Sequence, residues 1–246
     1  MRVVKNEKQL HKLALTLDSS DLKKTLLSNG NGKVAKHTPA AARATKFTVI
    51  LADPPWSYHD PKATAGGVGA QYPTISIKNL QRLPVASVAD DDCFLFLWAT
   101  MPKLEEALTV MKAWGFQYKT CAFVWVKQNP NGQGIRMGLG HYTRGNAELL
   151  LLGTRGHPKR IARDVMQIVM APIGRHSEKP EEVRRRIEKL TGAQNLLELF
   201  GRKLVAGWTV LGNEVTGRDI FIDLADLAQG KSIPHLNGSG KGVRHA

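Results

Sequence analysis

Residues Phe47–Trp56 read FTVILADPPW, and the fold turns on them. Phe47, Val49, Ile50, Leu51 and Ala52 form a short apolar run with β-branched members, the pattern of a buried strand. The run stops at Asp53-Pro54-Pro55-Trp56. Two consecutive prolines fix two φ angles and remove two N–H donors, so the chain leaves the sheet in one rigid shape. An acid, two carbonyls without neighbouring amide donors and an indole ring are thereby gathered at the carboxyl end of a strand. In open α/β sheets that edge is where ligands bind.

Such a group suits one kind of chemistry. The exocyclic amine of adenine is a poor nucleophile because its lone pair is delocalised into the ring. If the Asp53 carboxylate and the Pro54 carbonyl each accept one of its N–H hydrogens, the nitrogen is drawn towards tetrahedral geometry. Its lone pair then points at an incoming methyl group. Both acceptors are in place before reaction, which is how positioning and preorganised polarity lower a barrier. Pro55 completes the rigid turn, and Trp56 offers a face on which a base can stack, worth about 1–3 kcal/mol. In isolation a surface turn capped by Asp53 reads the same way, since Asp-Pro and Pro-Pro are ordinary turn dipeptides. Residues downstream decide between the two.

Charge narrows the class of partner. The 246 residues carry 35 Lys and Arg against 21 Asp and Glu, a formal net charge of +14. That excess favours a polyanion, nucleic acid before a membrane. The length is enough to bury a full core as one α/β domain with small appendages. Cys93 and Cys121 lie inside the apolar runs CFLFLW and TCAFVWV and read as core residues, with no disulfide framework and no Cys/His metal spacing. The opening MRVVKNEKQL has no apolar signal core, and no stretch approaches a membrane span. The expectation is an intracellular, cytoplasmic protein without a metal.

In chain order, residues 1–30 read as a helical appendage, with Leu10, Leu13, Ala14 and Leu17 at helical spacing. Residues 31–46 form a linker carrying Lys33, Lys36, Arg43 and Lys46, and the core domain runs over 47–216. Ser57–Tyr72 is a Gly-rich loop, read as a mobile lid with Tyr72 at its far end; it lacks the Lys-Ser/Thr ending of a phosphate cradle. A short helix over Ser76–Val85, a strand over Cys93–Trp98, an amphipathic helix over Pro102–Trp114 and a strand over Thr120–Val126 follow. That last strand ends at Trp125 and Lys127. A flexible stretch, Asn129–Gly140, leads to His141 and Tyr142, and Glu148–Leu152 reads as a fourth strand. Strands alternating with helices predict an α/β fold with a mostly parallel sheet. Residues 217–246 hold a short amphipathic element around Ile220, Phe221, Leu224 and Leu227, then a basic tail expected to be disordered unless nucleic acid binds it.

A second group of polar residues falls in the last third. Arg175–Pro180 precedes a helix over Glu181–Leu190 whose Arg184, Arg185 and Arg186 read as a solvated face. A strand from Asn195 to Arg202 delivers Glu198, Phe200 and Arg202 to the sheet edge, and another, Trp208–Glu214, ends in polar groups. A sulfonium nucleoside needs partners for its ribose hydroxyls, its carboxylate and its adenine. Asn213 or Glu214 suits the hydroxyls, Lys179 or Arg202 the carboxylate, and Phe200 the adenine face.

In this order, LADPPW, DCFLFLWAT, FVWVK, Gly140-His141-Tyr142 with the following Glu148-Leu-Leu, HSEKPEE, LLELFGR and GWTVLGNE resemble a known family. It is the MT-A type, the catalytic subunits of mRNA adenine-N6 methyltransferases, with bacterial and phage members. The likeness runs from about Phe47 to Glu214. It implies a Rossmann-like class I methyltransferase fold with S-adenosylmethionine as donor. The motif order is circularly permuted, so that the DPPW strand precedes the cofactor-binding strand. By motif match Asp53 and Pro54, with Pro55, orient the target amine, and Trp56 and Tyr72 flank the methyl-transfer pocket. Lys179, Glu198, Phe200, Arg202, Asn213 and Glu214, together with Asp53, fall on the cofactor side. Trp125, Lys127, His141 and Glu148 fall on the substrate side. One departure stands out: nuclear members carry an acidic strand segment shortly before DPPW that grips the cofactor adenine. Here that region is the linker Lys33–Lys46.

The expected activity is therefore methylation of the exocyclic amine of adenine in nucleic acid, DNA ahead of RNA. A compact chain fits a prokaryotic or viral enzyme, and in duplex DNA the target base must be extruded. RNA stays open as the substrate, as does a non-catalytic nucleic-acid-binding partner subunit, and so does homo- or hetero-oligomerisation. Relatives acting on cytosine or glutamine usually place Ser or Asn before the Pro-Pro, so Asp53 favours adenine. If the basic excess contacts phosphates, log affinity for DNA falls linearly with log salt. Charge reversal at Lys33, Lys36, Arg43 and Lys46 then flattens the slope in a salt titration, and affinity indifferent to salt sinks the nucleic-acid expectation.

Overall fold

The computed structural model describes residues 45–58, 74–140, 142–174, 178–192 and 194–233. The helical appendage, Lys33, Lys36 and Arg43 of the linker, the body of the expected lid with Tyr72, His141 and the basic tail lie outside the described residues.

β1 (Phe47–Ala52) is the apolar run that opens the core, and both of its faces are covered. Val49 and Leu51 join one buried cluster, Ile50 and Ala52 the other, as the two-residue period of a strand requires. The short helices α1 (Ile77–Arg82) and α2 (Val85–Val88) follow, then β2 (Ala89–Ala99), which repeats the alternation. Phe94, Phe96 and Trp98 face one cluster, and Cys93, Leu95 and Leu97 the other. Burial pushes the Cys93 thiol up to about 12, so it behaves as a small apolar core residue. Next come α3 (Leu104–Ala113), β3 (Gln117–Gln128), β4 (Ala147–Arg155) and β5 (Ile168–Pro172). The last third holds α4 (Glu181–Thr191), β6 (Leu196–Leu199), β7 (Trp208–Leu211), α5 (Asn213–Thr216) and α6 (Ile220–Ala228). Helices α1, α2, α3 and α6 cover one face of the sheet, and α4 covers the other through Val183 and Ile187.

The seven strands run in the order β5-β3-β4-β2-β1-β6-β7. All neighbours are parallel except β4, which is antiparallel to both β2 and β3. From β1 the chain crosses to β2 on one side. From β6, on the other side of β1, it crosses outward to β7. Connections leaving β1 and β6 thus diverge, and a crevice opens at their carboxyl ends.

The expected α/β class and mostly parallel sheet are what the structure has. Several details differ. The Glu148–Leu152 run is part of a longer strand that reverses the sheet direction. β5 was absent from the sequence reading, because this edge strand buries only Val169 fully and carries no clear period. The strand expected from Trp208 to Glu214 ends at Leu211. Gly212 breaks it, and Asn213 and Glu214 open α5 instead. The arginine run of α4 is not a solvated face. Arg184 donates two hydrogen bonds to Glu198, of 2.8 and 2.6 Å, and Arg186 donates to the carbonyls of Met166 and Ile168 at 2.6 and 2.7 Å. Only Arg185 is well exposed, because a helix turning about 100° per residue cannot hold three neighbours on one face. Among the described residues no helix is long and apolar enough to cross a membrane.

The Arg184–Glu198 pair ties α4 to β6 with both side chains almost buried. Glu198→Ala leaves the guanidinium in the interior without its counter-ion. The expected loss is about 3–5 kcal/mol of unfolding free energy, read from urea denaturation. An unchanged midpoint would show that the pair does not hold the helix.

Candidate active site

Asp53 leaves the sheet where β1 and β6 run side by side, its N–H donating to the Leu199 carbonyl at 3.3 Å. The prolines then turn the chain back. The Trp56 N–H donates to the Pro54 carbonyl at 2.8 Å, and the Ile75 N–H donates to the Pro55 carbonyl at 3.1 Å. Both proline carbonyls therefore have amide donors, unlike the sequence expectation, because the rigid turn curls Trp56 back and brings Ile75 alongside. A carbonyl oxygen carries two lone pairs, so Pro54 keeps one for a further donor. The Trp56 indole N–H donates to the Trp98 carbonyl at 3.1 Å, and the ring is buried apart from the part that lines the cavity described below.

Asp53 and three further charged groups alternate in sign. The Lys179 ammonium lies 2.7 Å from Asp53 Oδ2 and 3.3 Å from Glu148 Oε2. Glu148 Oε1 in turn lies 2.5 Å from the Lys127 ammonium. Lys179 and Lys127 also sit over the rings of Trp98 and Trp125, 5.4 and 5.2 Å from the centroids. Burial and the nearby Glu148 carboxylate push the Asp53 carboxyl above the usual range, against the pull of Lys179 and Arg202. Burial pushes Glu148 the same way, but two flanking ammonium groups outweigh it and hold its carboxyl low. Burial also works against the charge on Lys179, and the two carboxylates overcome it, so its ammonium is held above the ordinary lysine range.

A cavity of about 360 Å³ opens here. It is lined by Asp53, Pro54, Pro55 and Trp56 after β1, by Trp98, Glu148 and Lys179, and by Phe200, Arg202, Asn213 and Glu214 after β6 and β7. β6 ends at Leu199, one residue before Phe200, which takes a left-handed φ of 65°. For a non-glycine residue that conformation costs on the order of 1 kcal/mol and turns its ring into the crevice wall. The next turn is equally tight: a Cβ on Gly212 would lie 2.1 Å from the Gly201 carbonyl oxygen, so the turns after β6 and β7 touch through backbone. Arg202 and Glu214 are brought within 3.8 Å across this junction.

Other expected site residues fall elsewhere. Glu198 lines only an adjoining cavity of about 250 Å³, held there by Arg184. Trp125 is 1% exposed, bonded through its indole N–H to the Ala171 carbonyl at 3.0 Å and packed edge-on against Trp98. It does not line the cavity. Lys127 reaches the site through Glu148. Tyr72 and His141 lie outside the described residues. Sequence reading missed Trp98 and Thr100, although they close the strand next to DPPW. It also missed Tyr58, whose hydroxyl lies 2.5 Å from that of Thr100. Arg218, Asp219 and Ile220, which bring the start of α6 to the rim, were missed as well and have no local signal.

A doubly covered α/β sheet with a charged crevice at its topological switch point has the architecture of a ligand-binding α/β protein. The MT-A70 family profile matches residues 47–214, β1 through the first turn of α5. Over 197 residues the chain is 36% identical to the Type II methyltransferase M.MunI of Mycoplasma sp, covering 72% of this chain and 81% of that protein. It is 32% identical over 176 residues to the N(6)-adenosine-methyltransferase catalytic subunit METTL3 of Homo sapiens, covering 70% of this chain but 29% of the human protein. The N(6)-adenosine-methyltransferase MT-A70-like protein of Drosophila melanogaster matches at 32% over 176 residues, 27% of its length. The chain belongs to the MT-A70 family, a family of S-adenosylmethionine-dependent methyltransferases.

The charge alternation has a measurable consequence. Lys179→Met removes the cation that opposes burial at Asp53 and one of the two that hold Glu148 low. Both carboxyl pKa values should rise, Asp53 from an already raised position, in a carbon NMR titration of the side chains. An Asp53 resonance that titrates unchanged would mean the ammonium does not govern it.

Proposed function

We propose that the protein transfers a methyl group from S-adenosylmethionine to the exocyclic N6 amine of adenine in DNA. The observation that carries this reading is the Asp53 carboxylate at the cavity wall beside the Pro54 carbonyl, clamped by Lys179 at 2.7 Å. The family relatives whose names specify a target are N(6)-adenosine methyltransferases. DNA is favoured over RNA because the chain spans most of the type II methyltransferase and under a third of METTL3. The net charge of +14 suits either polymer.

The cavity fits the donor's chemistry. Phe200 and Ile220 give apolar faces for a purine, Asn213 and Glu214 give partners for ribose hydroxyls, and Arg202 gives a cation for a carboxylate. We assign that carboxylate to Arg202 because its side chain is the more exposed of the two cations, 37% against 13% for Lys179. When bound, S-adenosylmethionine supplies a methyl group activated by its sulfonium charge.

The chain's own groups do the rest. Asp53 accepts one N–H of the target amine, and the second lone pair of Pro54 accepts the other. The nitrogen lone pair is thereby turned out of conjugation and held in line. Lys179 fixes the carboxylate rotamer before substrate arrives, so no reorganisation is needed at the moment of reaction. Methylation leaves the amine with one proton too many. Asp53, with its pKa raised by burial, is a better acceptor for that proton than an ordinary aspartate. Trp56 and the Tyr58–Thr100 pair border the space left for the base.

The test incubates purified protein with methyl-labelled S-adenosylmethionine and either native DNA or RNA, then digests to nucleosides. Label should appear in N6-methyldeoxyadenosine; label confined to the RNA nucleoside shifts the polymer, and label in cytosine or in nothing defeats the reading. Asp53→Asn keeps the shape and would still cap a turn. It should nonetheless lower turnover by at least about 10²-fold, as loss of one preorganised polar group does. DNA binding in a filter assay should be retained.

A further inference from the structure

Between Lys127 and Glu148 the chain leaves the sheet and returns as a narrow finger. Its root is tied to the active site at both ends. The Lys127 N–H donates to the Asn146 carbonyl at 2.8 Å, and the Arg136 N–H donates to the Lys127 carbonyl at 2.7 Å. The side chains of Lys127 and Glu148 themselves form the 2.5 Å ion pair beneath Asp53.

The finger's outgoing arm carries a large apolar residue at every second position, Ile135, Met137 and Leu139, with Arg136, Gly138 and Gly140 between and after them. A Cβ on Gly138 would lie 1.9 Å from the Gly145 carbonyl oxygen, and one on Gly140 would lie 1.9 Å from that of Thr143. A Cβ on Gly145 would lie 2.8 Å from the Leu139 carbonyl oxygen. The arms therefore touch through glycine backbone, and the finger is about two chains thick. The alternate residues are left outside. Ile135 is 54%, Met137 73% and Leu139 93% exposed, a gradient that rises with distance from the root. Large apolar side chains displayed this way on a protrusion mark a contact surface. Residues 128–146 contain Arg136 and Arg144 and no Asp or Glu. That charge matches a polyanion.

We propose that this finger, residues 135–140 and 142–146, is a wedge for double-stranded nucleic acid. Arg136 and Arg144 lie against backbone phosphates. Met137 and Leu139 enter the base stack and occupy the space of the adenine that swings out toward Asp53. Apolar wedges of this kind unstack a duplex step, and chemistry on a base requires the base outside the stack. The proposal rests on adenine in nucleic acid being the substrate.

The double variant Met137→Ser/Leu139→Ser tests it, compared with wild type on one linear plasmid DNA used both native and heat-denatured, with methyl-labelled S-adenosylmethionine. Equal thermal midpoints establish that both proteins are folded. The expected result is a fall of at least about tenfold on native DNA, with the rate on denatured DNA within about twofold of wild type, since a single strand needs no wedge. Equal losses on both forms, or no loss on either, overturn the wedge while leaving the methyltransferase reading intact. So does a wild-type enzyme that labels only denatured DNA. A loss accompanied by dissociation of a wild-type dimer in sedimentation assigns the finger to a second copy and overturns it as well. A wild type that labels neither form overturns the methyltransferase reading itself, and the wedge with it.

Discussion

Asp53, Lys179, Glu148 and Lys127 alternate in sign in a partly buried crevice, and the site depends on that alternation. Removing any one of these charges from water is costly, and each is compensated only by its neighbours. The four come from β1, the segment before α4, β4 and β3. Asp53 itself stands just past the end of β1, so satisfying them requires two strands and two connecting segments to meet in one arrangement. The rings of Trp98 and Trp125 underlie the two ammonium groups and exclude water from below. The same arrangement leaves one carboxylate, Asp53, at the cavity wall with its pKa raised, and buries the other with its pKa lowered. Two carboxylates a few ångströms apart are thus given different characters by their surroundings, which is how one site separates a reacting group from a structural one.

The part of the cavity lining that follows β6 and β7 is held by backbone instead of charge. The left-handed Phe200 and the contact between Gly201 and Gly212 let the turns after β6 and β7 approach until Arg202, Asn213 and Glu214 share one rim. Behind it the buried Arg184–Glu198 pair fixes α4 against β6, and α4 follows directly on the segment that carries Lys179. Strain at Phe200 is tolerated because β6 is paired on both sides, by β1 and β7.

The antiparallel β4 has a functional consequence as well. A parallel strand at that place would point its carboxyl end, not Glu148 near its start, at the crevice. Reversal puts the beginning of β4 beside the end of β3, so Lys127 and Glu148 become neighbours and the residues between them must project as a loop from the active-site rim. The glycines of that loop let its arms touch through backbone, and Ile135, Met137 and Leu139 stand exposed on it.

Local pattern was sufficient for part of this. Doubly apolar runs ending in Asp-Pro-Pro-Trp, alternating with helical segments, already imply an α/β sheet and a reactive carboxyl edge, because side-chain period and proline geometry are properties of short segments. The positions of Asp53, Phe200, Arg202, Asn213 and Glu214 near one edge were legible for the same reason. Which charges pair was not. Lys179 reads as a ligand for a carboxylate in sequence and meets Asp53, 126 residues away, in the fold. Arg184 reads as solvated and is buried on Glu198, and Trp125, read on the substrate side, lies buried beneath Lys127 with its indole on the Ala171 carbonyl. The direction of β4, the edge strand β5 and the arrival of α6 at the rim depend on strand order and packing between distant segments, which no local period encodes. The residue types available for chemistry were set by the sequence alone; their pKa values, their partners and the cavity between them exist only because tertiary structure removes water and brings opposite charges within 3 Å.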